Sequence, residues 1–152
     1  MHLSRLGRGE LVAAVGGLLL AVCLFLPWYE PDPGNPNAVI DGQHGSVSGW
    51  EAHPIMRWLL LAGAVAPFIL IWIVIRDHEL SWARGEMTMV TSIAALGLIF
   101  YNGVIDRPGE PSAAISVKYG WFLALLAALV MTAASAMRSS EHERARKPPG
   151  TI

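Results

Sequence analysis

Cysteine is almost missing from this 152-residue chain, where Cys23 stands alone. One thiol closes no intrachain disulfide, completes no CxxC redox pair and builds no thiolate metal cluster. Cys23 therefore reads as a small apolar residue. Charge is scarce too, at 15% of residues against about 25% in an ordinary domain, and the shortage is concentrated. Residues 11–29, 58–75, 87–105 and 119–137 contain no Asp, Glu, Lys, Arg or His. Pumps and proton-coupled carriers keep an ionisable group within the bilayer because the coupling chemistry needs one, so powered transport is not expected. No Ser-His-Asp set, phosphate loop or paired carboxylates occurs either, and neither a catalytic residue nor a cofactor is assigned. His44 and His53, with Asp41 and Glu51 nearby, match no compact ligand spacing, and no metal is assigned.

What remains is apolar: 53% of residues are hydrophobic. Each uncharged run has the length of a helix that crosses about 30 Å of hydrocarbon. None carries the polar stripe of a soluble core helix. The expected fold is an all-α membrane protein, a four-transmembrane-helix bundle with a small extracytoplasmic loop cap. The runs divide the chain into a basic arm (1–10), a transmembrane domain (11–137) and a basic tail (138–152). The outer loops are 30–57 and 106–118, and the inner loop is 76–86.

Orientation follows from the cations. Arg5, Arg8, Arg76, Arg84, Arg138, Arg144, Arg146 and Lys147 fall on one side; Arg57, Arg107 and Lys118 fall on the other. Short segments rich in Lys and Arg stay in the cytoplasm. Both termini are therefore expected inside a cell membrane, with the lipid bilayer as the first partner. Six acids lie on each side, so the outer face is net −3 (three cations against six acids) and the inner face net +2 (eight against six). That pattern gives no sign of nucleic-acid binding. The first run has basic residues before it, like a signal peptide, but no A-x-A site follows and three more runs do; it is expected to stay uncleaved.

The 30–57 loop opens with Pro31, Pro33, Gly34 and Pro36, a turn-rich stretch. Asp41-Gly42 between short β-prone segments signals a hairpin. Aromatic residues favour the outer side, where Trp28, Tyr29, Trp50, Trp58 and Trp121 form a candidate collar. Such belts anchor helices at headgroup level, and a collar also offers a surface to lipid or a partner chain. At the inner side, Arg8-Gly9-Glu10 precedes the first run and Arg84-Gly85-Glu86 the third. Glu10 and Glu86 suit helix N-termini; with Arg8 and Arg84 they also form a candidate headgroup or partner site. Gly49-Trp50 and Gly120-Trp121 make a second echo, as though two hairpins repeat.

Ala13, Gly17 and Ala21 recur every four residues, as do Ala124 and Ala128. Such rows let helices approach closely, within the bundle or between copies. Pro67 is expected to kink the second span. Asn102, the strongest polar group in any run, reads as an interhelical hydrogen-bond partner.

The Arg8-Gly9-Glu10 element, the Phe25-Leu26-Pro27-Trp28-Tyr29 end of the first run and Gly49-Trp50-Glu51-Ala52 together resemble uncharacterised four-span membrane proteins of actinobacterial type. The resemblance implies the topology and supplies no activity. The large first outer loop with its tryptophan is similar in layout to claudin-like tetraspans, although that family's loop cysteine pair is missing. Two functions stay open. One is a non-catalytic scaffold or accessory subunit that holds another membrane protein or a second copy of itself. The other is a small carrier or lipid-handling protein with a cavity between two helix hairpins, gated near Pro67.

Overall fold

A computed structural model describes residues 6–76, 78 and 85–146, the side chains of 141–146 excepted. Arg5, Arg84 and Lys147 lie outside the described residues. The described residues are mostly helical, at 66%. Its elements run α1 (Arg8–Cys23), β1 (Pro27–Pro31), β2 (Val47–Ser48), the single-turn α2 (Gly49–Ala52), α3 (Met56–Ile75), α4 (Glu86–Phe100), β3 (Ile115–Val117) and α5 (Tyr119–Arg146). The end of α4 continues as a π-helical turn, Tyr101–Ile105.

Among the described residues, three helices are long and apolar enough to cross a membrane: Met56–Ile75, Glu86–Ile105 and Tyr119–Ser140. The first run differs from its expectation. Instead of one helix over 11–29, it gives the 16-residue α1 and then a strand. Proline causes the break. Pro27 has no N–H to donate and disfavours helical backbone in the residue before it. The last amides, Leu24, Phe25 and Leu26, close onto Leu20, Val22 and Cys23, and the chain leaves as β1.

β1 is the centre of an antiparallel sheet, order β2-β1-β3. Tyr29 stands opposite Val47 on one side and Val117 on the other. Its prolines occupy the first and last positions, where a missing N–H is tolerated. The cap is thus a three-stranded sheet drawn from both loops, not a hairpin within the first. The Asp41-Gly42 signal is real but local. Both residues take positive φ, 49° and 76°, and the turn closes with reciprocal Ile40 and Gln43 backbone bonds of 3.0 and 2.9 Å. Beside it Val39 pairs with Glu110 of the second loop. Glu30 and Lys118 form an ion pair next to the sheet.

The long helices pack as a ring: α1 lies against α3 and α5, and α4 lies against the same two. Side-chain size is sorted inside out. Ala13, Ala64, Ala95, Ala124, Ala128 and Ser92 are buried, while Val15, Leu18, Ile69, Val90, Phe122 and Leu126 are exposed. The small residues set the distances. A Cβ on Gly17 would stand 2.4 Å from the Ala64 carbonyl oxygen and 2.9 Å from the Pro67 ring; one on Gly16 would stand 2.7 Å from Met131. Neighbouring glycines thus seat α1 against two different helices. Ala13, Ala124 and Ala128 are buried as their spacing implies, and Ala21 is half-buried. α3 runs unbroken through Pro67, whose ring is buried against α1.

Candidate functional site

The sheet end of the helices holds the densest set of polar and aromatic side chains. Trp28 and Tyr29, adjacent on β1, are fully buried. The Trp28 indole donates to the Cys23 carbonyl at 2.7 Å, capping α1 with a side chain. Its ring is clasped between two glycines. A Cβ on Gly49 would lie 2.5 Å from the indole, and one on Gly120 would lie 2.9 Å from it and 2.4 Å from the Pro27 carbonyl oxygen. This explains the Gly-Trp echo: both glycines open helices that close on one tryptophan. The tryptophans that follow them diverge, Trp121 being buried and Trp50 only half-buried.

Tyr29 reaches across to α4. Its hydroxyl donates to the Asn102 carbonyl at 3.1 Å and lies 2.9 Å from Nε2 of the buried His53. A hydroxyl donating to Asn102 accepts from the histidine, so the neutral Nε2–H tautomer fits. The π turn makes this possible. A wider turn leaves backbone carbonyls without their usual i+4 partners, and side chains from several elements take them. Asn102 Nδ2 donates to Leu98 at 2.9 Å, Trp121 Nε1 to Ile99 at 2.7 Å and Arg107 Nε to Gly103 at 2.9 Å. Arg107 Nη1 also reaches Ile115 on β3 at 2.8 Å. Asn102 additionally approaches Met56 of α3, Nδ2 to Sδ 3.2 Å, an interhelical contact of the kind expected. The sheet and α4 are therefore locked together by hydrogen bonds as well as apolar packing.

The expected collar separates into two groups. Trp28, Tyr29 and Trp121 are internal struts. Trp50 and Trp58 stay at the surface with Phe25, the Trp50 ring stacked on Phe25 at 5.2 Å and edge-on to Trp58 at 5.2 Å. Arg57 lies over both indoles, its Cζ 4.9 and 5.6 Å from the ring centroids.

At the opposite end, the paired Arg-Gly-Glu elements converge on Arg138, which belongs to α5 and not to a separate tail. Glu10 is buried; its Oε2 accepts from the Gly7 amide at 2.6 Å and its Oε1 from Arg138 Nε at 3.1 Å. The two glycines meet the same stretch of α5. A Cβ on Gly9 would lie 3.0 Å from the Ala134 carbonyl oxygen, and one on Gly85 would lie 3.0 Å from that of Ser135 and 3.3 Å from Arg138. Gly85 also takes φ +99° as the N-cap of α4, a conformation that favours glycine. Glu86 follows, half-buried in the first turn, while Arg8 is exposed. The arrangement serves helix docking: of the proposed site residues Arg8, Glu10, Arg84 and Glu86, only Glu10 engages Arg138 in a side-chain bond among those described.

His53 and Asn102 join the site at the sheet end. Asn102 stood out in sequence as a polar group in an apolar run. His53 carried no such signal, because only the fold brings it to Tyr29. His44 is elsewhere, exposed on the loop with Nδ1 3.2 Å from the Ala38 carbonyl oxygen.

Burial pushes His53 from 6.5 down to about 4 and raises the Tyr29 phenol, the latter opposed by the Arg107 charge. The histidine is therefore neutral at pH 7. A depressed folded-state value means that the unfolded chain binds the proton more tightly, so stability present above pH 6.5 is lost as pH falls toward 4. The loss is on the order of 3 kcal/mol. Unfolding of detergent-solubilised protein should show that acid limb between pH 6.5 and 4.5, and His53→Gln should flatten it. Glu51, whose Ser48 hydrogen bonds lower its carboxyl below 4.5, responds only beneath that window. An unchanged slope in the variant would remove His53 as the cause. No known protein family, characterised protein or solved structure matches this chain.

Proposed function

We propose that this chain is a multi-pass protein of the cell membrane, with four spans and both termini cytoplasmic, acting as a non-catalytic scaffold or accessory subunit. α1 joins the three longer helices as a span because its outward residues, among them Val15, Leu18 and Val22, are as apolar and exposed as theirs. With the loop sheet outside, the basic arm and tail lie inside, in accord with the cation bias.

The observation that carries the scaffold reading is the seam between α3 and α4. It forms an apolar groove of about 390 Å³ that opens sideways, lined in part by Ala62, Gly63, Ala66, Thr91, Ala94 and Ala95. Small residues in rows are what membrane helices present to one another. Here Ala62 and Ala94 are exposed and Ala66 and Thr91 half-buried along the groove, with Gly63 and Ala95 at its floor, which offers a close approach to a further helix, from a second copy or another membrane protein. Against a carrier cavity gated at Pro67 stands the close contact of that proline with Gly17.

Cysteine chemistry tests this directly, since Cys23 is the chain's single thiol. In a Cys23→Ala background, Ala62→Cys and Ala66→Cys should cross-link in oxidised native membranes, to a dimer or to a heavier hetero-adduct. Cysteine at the exposed Leu126 of α5 should not. Absence of cross-linking at both groove positions, with lipid flux in vesicles containing the pure protein, would favour the carrier instead.

A further inference from the structure

Among the described residues the sheet end contains three cations, and two of them are tied to the sheet and the π turn. Lys118 is paired with Glu30, and Arg107 is held by the carbonyls of Gly103 and Ile115. Arg57, in the second position of α3, has no carboxylate partner among the described residues. Glu51, six positions earlier, is instead occupied by the amide and hydroxyl of Ser48, at 3.0 and 2.8 Å. The guanidinium lies across the faces of Trp50 and Trp58 and gives one Nη1 hydrogen to the Trp50 carbonyl at 3.3 Å. Its Nε is buried without a partner. A guanidinium has five N–H donors in a rigid fork; with Nε enclosed, the Nη2 pair and the second Nη1 hydrogen are those left for an outside acceptor.

The surroundings state what fits there. Phe25 and Trp58 are exposed at 62% and 56%, and Ile55 at 80%. In the proposed orientation these side chains stand at the outer edge of the hydrocarbon, where indoles meet headgroups. An arginine fixed on aromatic faces at that depth matches a phosphate, which accepts two parallel N–H bonds. A carboxylate from this protein does not come forward, although the loops around it are net negative. The apolar rim meanwhile suits acyl chains and not a soluble anion.

We infer that Arg57, set between Trp50 and Trp58, binds the phosphate of an outer-leaflet glycerophospholipid, whose acyl chains lie along Phe25, Ile55 and Trp58. This inference rests on the membrane orientation proposed above. The bound lipid would belong to the rim of the protein, outside the helix interior, and so is compatible with a scaffold.

Native mass spectrometry of the full chain in mild detergent, titrated with dioleoyl-phosphatidylglycerol, reads the site. Arg57→Gln should weaken the first lipid-binding step by about tenfold, the loss of one charge-assisted contact. Lys118→Gln should leave that step unchanged, and Arg57→Lys, which keeps charge but loses the fork, should fall between. Millimolar inorganic phosphate should not displace the lipid; displacement would assign the site to a free anion. Equal binding by wild type and Arg57→Gln overturns the lipid site. If Arg57→Gln does not fold, Trp58→Leu at an exposed position should still weaken binding severalfold, and failure to do so is equally decisive. Alkaline carbonate extraction of the same membranes separates the two claims. Release of the protein defeats the membrane reading itself, whereas retention with unaltered lipid binding defeats only this inference.

Discussion

Gly103→Ala should destabilise the protein by about 3 kcal/mol or more, the upper end of what overpacking costs. Gly103 lies in the π turn, and a Cβ there would stand 2.1 Å from Cε2 and 2.2 Å from Nε1 of the Trp121 indole. Neither side has slack. Trp121 is 5% exposed and its Nε1 is committed to the Ile99 carbonyl at 2.7 Å. Gly103 in turn presents its carbonyl to Arg107. A methyl group therefore forces the indole out, strips a donor from a buried carbonyl and loosens the joint between α4 and α5. Gly97, one and a half turns earlier, is the matched control: a Cβ there meets nothing within 4 Å. Gly97→Ala removes backbone freedom in a helix interior and should be neutral or stabilising by about 0.5–1 kcal/mol. Thermal unfolding in one detergent, followed by tryptophan fluorescence, compares the two. Combining Gly103→Ala with Trp121→Leu should recover part of the loss, because contacting residues are non-additive. Equal melting of the two alanine variants would show that the indole is not locked as described.

Period and charge made the helices legible. The uncharged runs at 58–75 and 87–105 return as helices with bounds shifted by one or two residues, the second ending in a π turn, whereas the run at 119–137 returns as a helix that continues to Arg146, through much of the expected tail. Of the residues picked out by small-residue spacing, Ala13, Ala124 and Ala128 are buried, and Gly17 lies against Ala64 and Pro67. The first run misled because hydropathy does not distinguish a helix from a buried strand. Trp28 and Tyr29 are apolar for the sake of a sheet core, and Pro27 was the signal for the change. The collar misled for a related reason. An indole at a span's end serves equally as an exposed surface group or as a strut donating to a carbonyl: Trp58 is exposed, and Trp121 is a strut. The two echoes marked real positions, since Gly9 with Gly85 and Gly49 with Gly120 make parallel contacts. Their charged or aromatic neighbours do not share a role. His53 and Arg138 were illegible, as each acquires its partner across 24 and 128 positions of chain. No local pattern encodes such a meeting.

Glu10→Ala should cost about 3 kcal/mol, the lower part of the range for removing one partner of a buried ion pair. Three consequences combine. The Gly7 amide at the start of α1 loses its acceptor, the helix N-terminus loses a favourable negative charge, and Arg138 loses a carboxylate whose side chain is 1% exposed against its own 20%. The greater exposure of the arginine lets water recover part of the last term, which places the estimate low in its range. Glu10→Gln separates the contributions. The amide oxygen still accepts from Gly7, so the helix start should survive while the charge interaction is lost, at about 1–2 kcal/mol. A charge swap, Glu10→Arg with Arg138→Glu, should not rescue the fold. An arginine at the N-terminus of α1 opposes the helix dipole and leaves the Gly7 amide without its acceptor. The double-mutant cycle of Glu10→Gln and Arg138→Gln, read from unfolding in detergent at neutral pH, then gives the coupling itself. A coupling near zero would make Glu10 a helix cap alone. A clear coupling energy would make Arg138 the pin that holds α1 to α5 and, through its contact with Gly85, sets the start of α4 beside them.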